Sequence, residues 1–272
     1  KSLRTRSAFV TVALLATICT ITGCTKKETT ETTTVKIGIS KIVQHVALDN
    51  IEQGIQDAIN AAGITAEFDL QNANGDVNTA TQIASKLKSE NVDIAVGIAT
   101  PTAVALANTI HDIPVVFATV TDPIGAGLVD TLDHGKNNVT GTSDAIPTAE
   151  HIKLFAKLAN IKTLGYIYTS SEANSITALD LVTKACKENG IELVTQSISK
   201  SAEVKQAAEA IVSRVDGLYL TTDNTVFSAI SSLIQVFGKA KKPIFSGDVT
   251  GAMEGGCAFA SGFNYYKAGI AT

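Results

Sequence analysis

From residue 35 onward, short apolar runs rich in β-branched side chains alternate with longer stretches whose apolar residues recur at helical spacing. That alternation admits few folds. "VKIGI" (35–39) reads as a strand, and the helix after it places Leu48, Ile51, Ile55, Ala58, Ile59 and Ala62 on one face, with Gly63 as its stop. "ITAEFDL" (64–70) is the next strand, and Val77, Ala80, Ile83, Ala84 and Leu87 stripe the next helix. "VDIAVGI" (92–98) is apolar on both faces, as a central parallel strand must be. "TPTAVALANTI" follows, with Thr100 placed to cap and Pro101 at the first helical position, and "PVVFATV" (114–120) completes the half. The pattern then repeats: helix (149–160), strand (163–169), helix (173–190), strand (191–198), a helix opened by Ser201, strand (216–221), a helix over 224–238, and strand (242–247).

Two successive blocks of this kind predict an α/β protein of two doubly wound parallel-sheet lobes joined by a hinge. The expected division is 35–142 for the N-terminal lobe and 143–250 for the C-terminal lobe, with 251–272 a return crossover and the incomplete start of an N-lobe helix. The seam falls at "GTSDAIPT" (141–148), where apolar periodicity lapses, and a second hinge segment is expected near 250–258.

In such sheets a ligand sits outside the carboxyl ends of the strands, where the loops gather. Here those loops are polar and turn-forming: "SKIVQ", "ATPT" and "TVTDPIGAG" in the first half, "SSEANS", "TTDNT" and "SGDVTGAMEGG" in the second. Thr100, Pro101 and Thr102 open a helix whose first amides lack partners, so its mouth suits a carboxylate or phosphate; alternatively Thr100 only caps its own helix. Across the cleft, Glu172, Asp223 and Asp248 stand at strand ends, where they can pair an ammonium group or serve as a loop charge, a helix cap and a turn residue. Ser170 and Asn174 share the loop with Glu172. Taken together, an anion-accepting lip facing a cation-accepting lip suits a zwitterion.

The chemistry that the sequence lacks narrows the choice. Asp122-Pro123 starts a turn, and Gly125 and Gly127 form a lone G-x-G without the third glycine or the strand-to-helix setting of a dinucleotide fingerprint. Nothing after residue 24 matches a phosphate-binding P-loop or a nucleophile elbow, so an enzyme is not the expected reading and no cofactor is implied. His45, His111, His134 and His151 show no metal-ligand spacing. A net charge of −4 spread along 272 residues, without a Lys/Arg cluster and without Trp, argues against nucleic acid as a partner.

The N-terminus carries a different signal. Lys1, Arg4 and Arg6 precede the apolar run 8–21, which reads as a secretory leader too short to span a bilayer comfortably. It ends in "ITGC" (21–24), which resembles a bacterial lipobox whose Cys24 receives lipid; an ordinary signal peptide with an incidental cysteine is the alternative. Residues 25–34, "TKKETTETTT", form a polar tether spanning roughly 17 Å by the square-root rule for flexible chains. Of the remaining cysteines, Cys186 falls on the stripe Ile176, Leu179, Val182 and reads as core rather than half of a disulfide with Cys257.

At "GIATPTAVALAN", "IPVVFATVTDPIGAGLV", "NNVTGTSD", "LYLTTDNTVFSAISSLI" and "KKPIFSGD" the chain resembles the ABC transporter substrate-binding proteins of tryptophan/tyrosine type. The resemblance implies a type I periplasmic-binding-protein fold, a ligand held between the lobes, and delivery to a membrane permease with its ATPase; together with the lipobox it leads us to expect a monomer lipid-anchored on the extracytoplasmic face of a bacterial membrane. It points to amino acids, aromatic ones included. Carried onto this sequence, it marks Thr100, Thr102, Thr121, Asp122 and Asp223 as cleft residues, with Gln44 and His45 in the first loop as weaker candidates. Phe117, Phe227 and Tyr168 are the nearest aromatic residues, read as core packing. Family members continue past "FNYYKAG" whereas this chain stops at Thr272 and starts with Lys, so a C-terminal truncation is expected. A ligand-sensing receptor domain shares the same cleft and is the rival reading.

Overall fold

The computed structural model describes residues 34–253 and 256–272, so Cys24, the leader and almost all of the tether lie outside the described residues. Two five-stranded sheets, parallel throughout, organise the chain. The first is built from β1 (Val35–Lys41), β2 (Ala66–Asn72), β3 (Ile94–Ile98), β4 (Val115–Val120) and β5 (Val139–Ser143), in the order β2-β1-β3-β4-β5. Helices α1 (Val46–Ala61), α2 (Val77–Ser89) and α3 (Thr100–Thr109) are its crossovers. The second contains β6 (Thr163–Thr169), β7 (Glu192–Ile198), β8 (Gly217–Leu220), β9 (Ile244–Ser246) and β10 (Phe259–Ala260), in the order β10-β9-β8-β6-β7. It carries α4 (Thr148–Ala159), α5 (Ala173–Glu188), α6 (Val204–Ile211), α7 (Asn224–Ser228), α8 (Ile230–Lys239) and α9 (Thr250–Met253).

The cores follow from the strand patterns. Ala95, Val96 and Ile98 of β3 are buried, as the continuous apolar run demands, against Leu87 and Leu106 of the flanking helices. In the second lobe Tyr166, Tyr219, Phe155 and Phe245 are among the largest fully enclosed side chains. The final helix α10 (Tyr265–Ala271) packs on α1, and two glycines permit that contact. A Cβ on Gly54 would stand 2.2 Å from the Tyr266 carbonyl oxygen, and one on Gly269 2.2 Å from that of Ile51.

Several local expectations are corrected. β5 has no apolar alternation, since only Val139 in it is buried, and it forms by pairing along β4 at the sheet edge. The stretch 224–238 is two helices, because Ala229 leaves helical geometry at φ −118° and ψ 23°. Ser201 opens a short 3-10 turn without capping it; Glu203 instead accepts the Ser199 amide at 2.8 Å. Ile176 faces out at 41% exposure, while Cys186 is buried as expected. Finally, the chain leaves the first sheet through residues 144–147 and returns through 261–264; 250–258 instead holds α9 inside the second lobe.

Candidate functional site

The carboxyl ends of β3, β4, β6, β8 and β9 converge on one cleft, and the backbone there is under local constraint. Ala99, between β3 and α3, lies at φ 72° and ψ 162°, a region that glycine alone enters readily. Thr119 sits at φ 54° where the β4–β5 register shifts. Both residues line the cleft. Ala99 occupies the cap position of α3 and has no side chain to cap with, so the helix opens on Thr100 with its first turn directed at the cleft. Thr100 therefore does not cap its helix as the sequence suggested.

Facing it stand carboxylates from the other lobe. Asp223 is buried and accepts four hydrogen bonds, from Thr169 N, Thr169 Oγ1, Ser175 Oγ and Val226 N, at 2.7 to 2.9 Å. Burial, with the Glu172 carboxylate nearby, nevertheless pushes it up to about 7 against the pull of those bonds. Asp248 is buried in the same lining and accepts the Thr250 amide and hydroxyl at 2.8 and 2.7 Å. A third carboxylate, Asp144, escaped the sequence reading. It lies in the first crossing between the sheets, accepts from Thr121 Oγ1 at 3.2 Å, and is raised to about 7 by burial and by the charge of Asp248.

Of the sequence-based candidates, Thr100, Thr121, Asn174, Asp223, Asp248 and His45 come together in this lining. The others do not, each for a visible reason. Thr102 turns its hydroxyl back to the Ile98 carbonyl at 2.6 Å. Asp122 folds onto the Gly125 amide at 2.8 Å, closing the turn that the opening of that loop requires. Ser170 donates to the Ile198 carbonyl at 3.2 Å and is exposed, and Gln44 is exposed too. Glu172 is buried but spent on the start of α7, accepting from Thr225 N and Oγ1 at 2.9 and 2.6 Å and from Asn224 Nδ2 at 2.6 Å. Phe117 and Tyr168 keep to the cores, whereas Phe227 reaches the lining, as does Tyr265 from α10.

Two buried polar groups in the lining lack partners. Asn174 gives its amide hydrogens to Glu172 Oε2 and the Thr222 carbonyl at 3.3 and 3.1 Å, leaving Oδ1 shielded and unpaired. Both ring nitrogens of His45 are shielded without a hydrogen bond, the Asn224 side chain lying near but outside bonding geometry. Burial lowers His45 to about 4, so its ring is neutral at pH 7. An unsatisfied buried polar group costs ~1–3 kcal/mol, a deficit that a ligand in the cleft can relieve.

The lobes meet across the cleft. Thr121 and Thr222 hydroxyls are 2.9 Å apart, and the His45 and Phe227 ring centroids 6.0 Å. About 330 Å³ of space, open mouth included, lies between them. The room left for the centre of a water-sized sphere is about 20 Å³, on the order of one water, so a larger guest enters only when the lobes part.

Comparison with known proteins places this geometry. The chain is 35% identical over 264 residues to a tyrosine-binding protein of Clostridioides difficile, covering 92% of this chain and 76% of that one. It superposes with a TM-score of 0.82, at 33% identity, on an ABC domain from Streptococcus pneumoniae in complex with L-Trp, covering 88% and 82% of the two chains. With the ligand-free, open structure of a substrate binding protein with adhesive properties from Clostridium difficile the TM-score is 0.60 at 36% identity, covering 87% and 81%. At similar identity the chain superposes more closely on the tryptophan complex than on the ligand-free, open structure. The family model for ABC transporter substrate binding proteins matches residues 36–272, and the chain belongs to that family.

Proposed function

We propose that this protein captures an amino acid, aromatic ones included, on the extracytoplasmic side of a bacterial membrane and hands it to an ABC importer, with no catalytic step. The observation that carries this reading is the pairing of Asp144, Asp223 and Asp248 with the open first turn of α3 in one enclosed cleft. A ligand ammonium set among those carboxylates offsets their burial, and the ligand carboxylate meets the unpaired amides and partial positive charge at the mouth of α3. Because Asp223 and Asp248 belong to one lobe, α3 to the other, and Asp144 to the crossing between them, such a ligand is held fully only when the lobes are together. Closure is then favoured by the contacts that the open form cannot make simultaneously. The relatives whose names state tyrosine and L-Trp as ligands support an aromatic amino acid.

Membrane attachment belongs to the same proposal. Cys24 would carry lipid and residues 25–34 would tether the lobes close to the bilayer, where a monomer can present its closed face to a permease and its ATPase. The test is thermal melting of the protein against a panel of amino acids, nucleosides and sugars. A true ligand at 100 times its dissociation constant adds ~2.7 kcal/mol of stability. A shift with amino acids alone is expected, and stabilisation by sugars or nucleosides in their place would overturn the reading.

A further inference from the structure

We infer that His45 and Phe227 form a side-chain subsite that selects an aromatic ring bearing a polar tip over a plain aromatic ring. This rests on the amino-acid reading above and adds to it the residue that tells one aromatic ligand from another.

The two residues come from opposite lobes, with ring centroids 6.0 Å apart and interplanar angle 41°, and both line the cleft. Beside them Ala47 and Leu48 supply apolar wall. The carboxylates and the mouth of α3 can hold the two charges of the ligand, but His45 offers them nothing of use: a neutral imidazole has one N–H and one lone pair, and no charge to match either. Its neighbours do not occupy it. Lys41 and Asp49 pair with each other at 2.6 Å, Glu52 joins Lys41 at 3.2 Å, and Asn224 across the cleft makes no bond to the ring. The group is therefore a buried donor and acceptor awaiting a partner, set beside the apolar side chains of Ala47, Leu48 and Phe227.

A phenol hydroxyl or an indole N–H can complete it, and a phenyl ring cannot. Leaving such a group unpaired costs enough to weaken the plain ring by roughly 5- to 150-fold. A site built to hydrogen-bond a hydroxyl discriminates by the same principle, because the analogue without it strands the polar group.

The test is calorimetric titration of the full chain with L-tyrosine, L-tryptophan, L-phenylalanine and L-leucine. Tyrosine or tryptophan should bind at least about fivefold more tightly than phenylalanine. In H45F that preference should fall within about threefold, chiefly by loss of the polar-tipped ligand, and in H45Q part of it should return. Should H45F not fold, the wild-type protein still decides: the ¹⁵N resonances of the His45 ring should move on saturation with the tighter ligand and stay in place with phenylalanine. Equal affinity for the three aromatic amino acids, selectivity surviving in H45F, or a silent His45 ring overturns the inference. Binding of leucine but of no aromatic amino acid overturns it while leaving the amino-acid reading intact, and binding of none of the four removes both.

Discussion

Replacing Asp144 with asparagine should make the empty protein more stable and its ligand weaker, two effects of opposite sign from one buried charge. Burial and the neighbouring Asp248 raise the Asp144 carboxyl to about 7, against the hydrogen bond from Thr121 that pulls it down. In the unfolded chain the same group titrates near 3.8. Between those values the unfolded state has released a proton that the folded state retains, so stability is full at low pH and is lost as pH rises toward 7. The slope for one group is ~1.4 kcal/mol per pH unit, which accumulates to ~4 kcal/mol as an upper figure. The amide of the D144N variant carries no such charge. The D144N and wild-type curves should coincide near pH 4 and separate in favour of the variant by up to ~4 kcal/mol at pH 8, about 8–16 °C in Tm for a chain of this size. Subtraction of the two curves matters, because His45, lowered to about 4 by burial, costs stability in the opposite sense as pH falls from 6.5. Urea unfolding of ligand-free protein at half-unit pH steps measures the difference. Ligand affinity should drop roughly 30- to 4,000-fold, the ~2–5 kcal/mol expected for removing one partner of a buried charge pair. If D144N is no more stable than wild type at pH 8, or if the gap between the curves is the same at pH 4 and pH 8, the electrostatic account of the cleft is wrong.

Three further substitutions probe other links of the account. Ala99→Gly should stabilise the protein by about 1 kcal/mol in denaturant unfolding, since relief of a glycine-only conformation worth ~1–3 kcal/mol exceeds the ~0.5–1 kcal/mol entropic cost of glycine; a destabilised variant would contradict the strain at this turn. Gly54→Ala and Gly269→Ala should each cost ~1–3 kcal/mol or more, because the added methyl meets backbone oxygen at 2.2 Å on the α1–α10 contact, and an unchanged Tm would show that the helices can separate freely. Thr121→Ala should weaken ligand binding by roughly 2- to 13-fold, the ~0.5–1.5 kcal/mol of one hydrogen bond between the lobes to Thr222, with unfolding of the empty protein moved by less; an unaltered dissociation constant would show that this bond plays no part in closure.

The architecture was legible because most strands of these sheets announce themselves locally, as β3 does by being apolar on both faces. β5 was not, since an exposed edge strand held by pairing along β4 leaves no burial pattern in its own residues. The cleft residues divide on the same ground. Asp223 could be found because it follows a strand and precedes a helix, a place where geometry alone puts a side chain at the rim. Asp144 enters the cleft from the first crossing between the lobes and Tyr265 from the start of α10, and only the tertiary arrangement puts them there. Glu172 misled for a similar reason: it caps α7, which begins 52 residues later in sequence, so all its partners but Asn174 were invisible from its own loop. Asp122 and Thr102 show the converse, polar side chains in the right loops whose own backbone satisfies them first.

The claim on which the rest depends is that both charges of one small guest are gripped at once, the cation by the carboxylates and the anion by the mouth of α3. Calorimetry with the tightest-binding free amino acid, its N-acetyl derivative and its carboxamide separates those grips. The free amino acid should bind while each blocked form, having lost one charge, binds at least about a hundredfold more weakly, the ~2.8 kcal/mol expected of a buried charged contact. Undiminished binding of either derivative would show that one lip makes no contact with charge, and the account would fail.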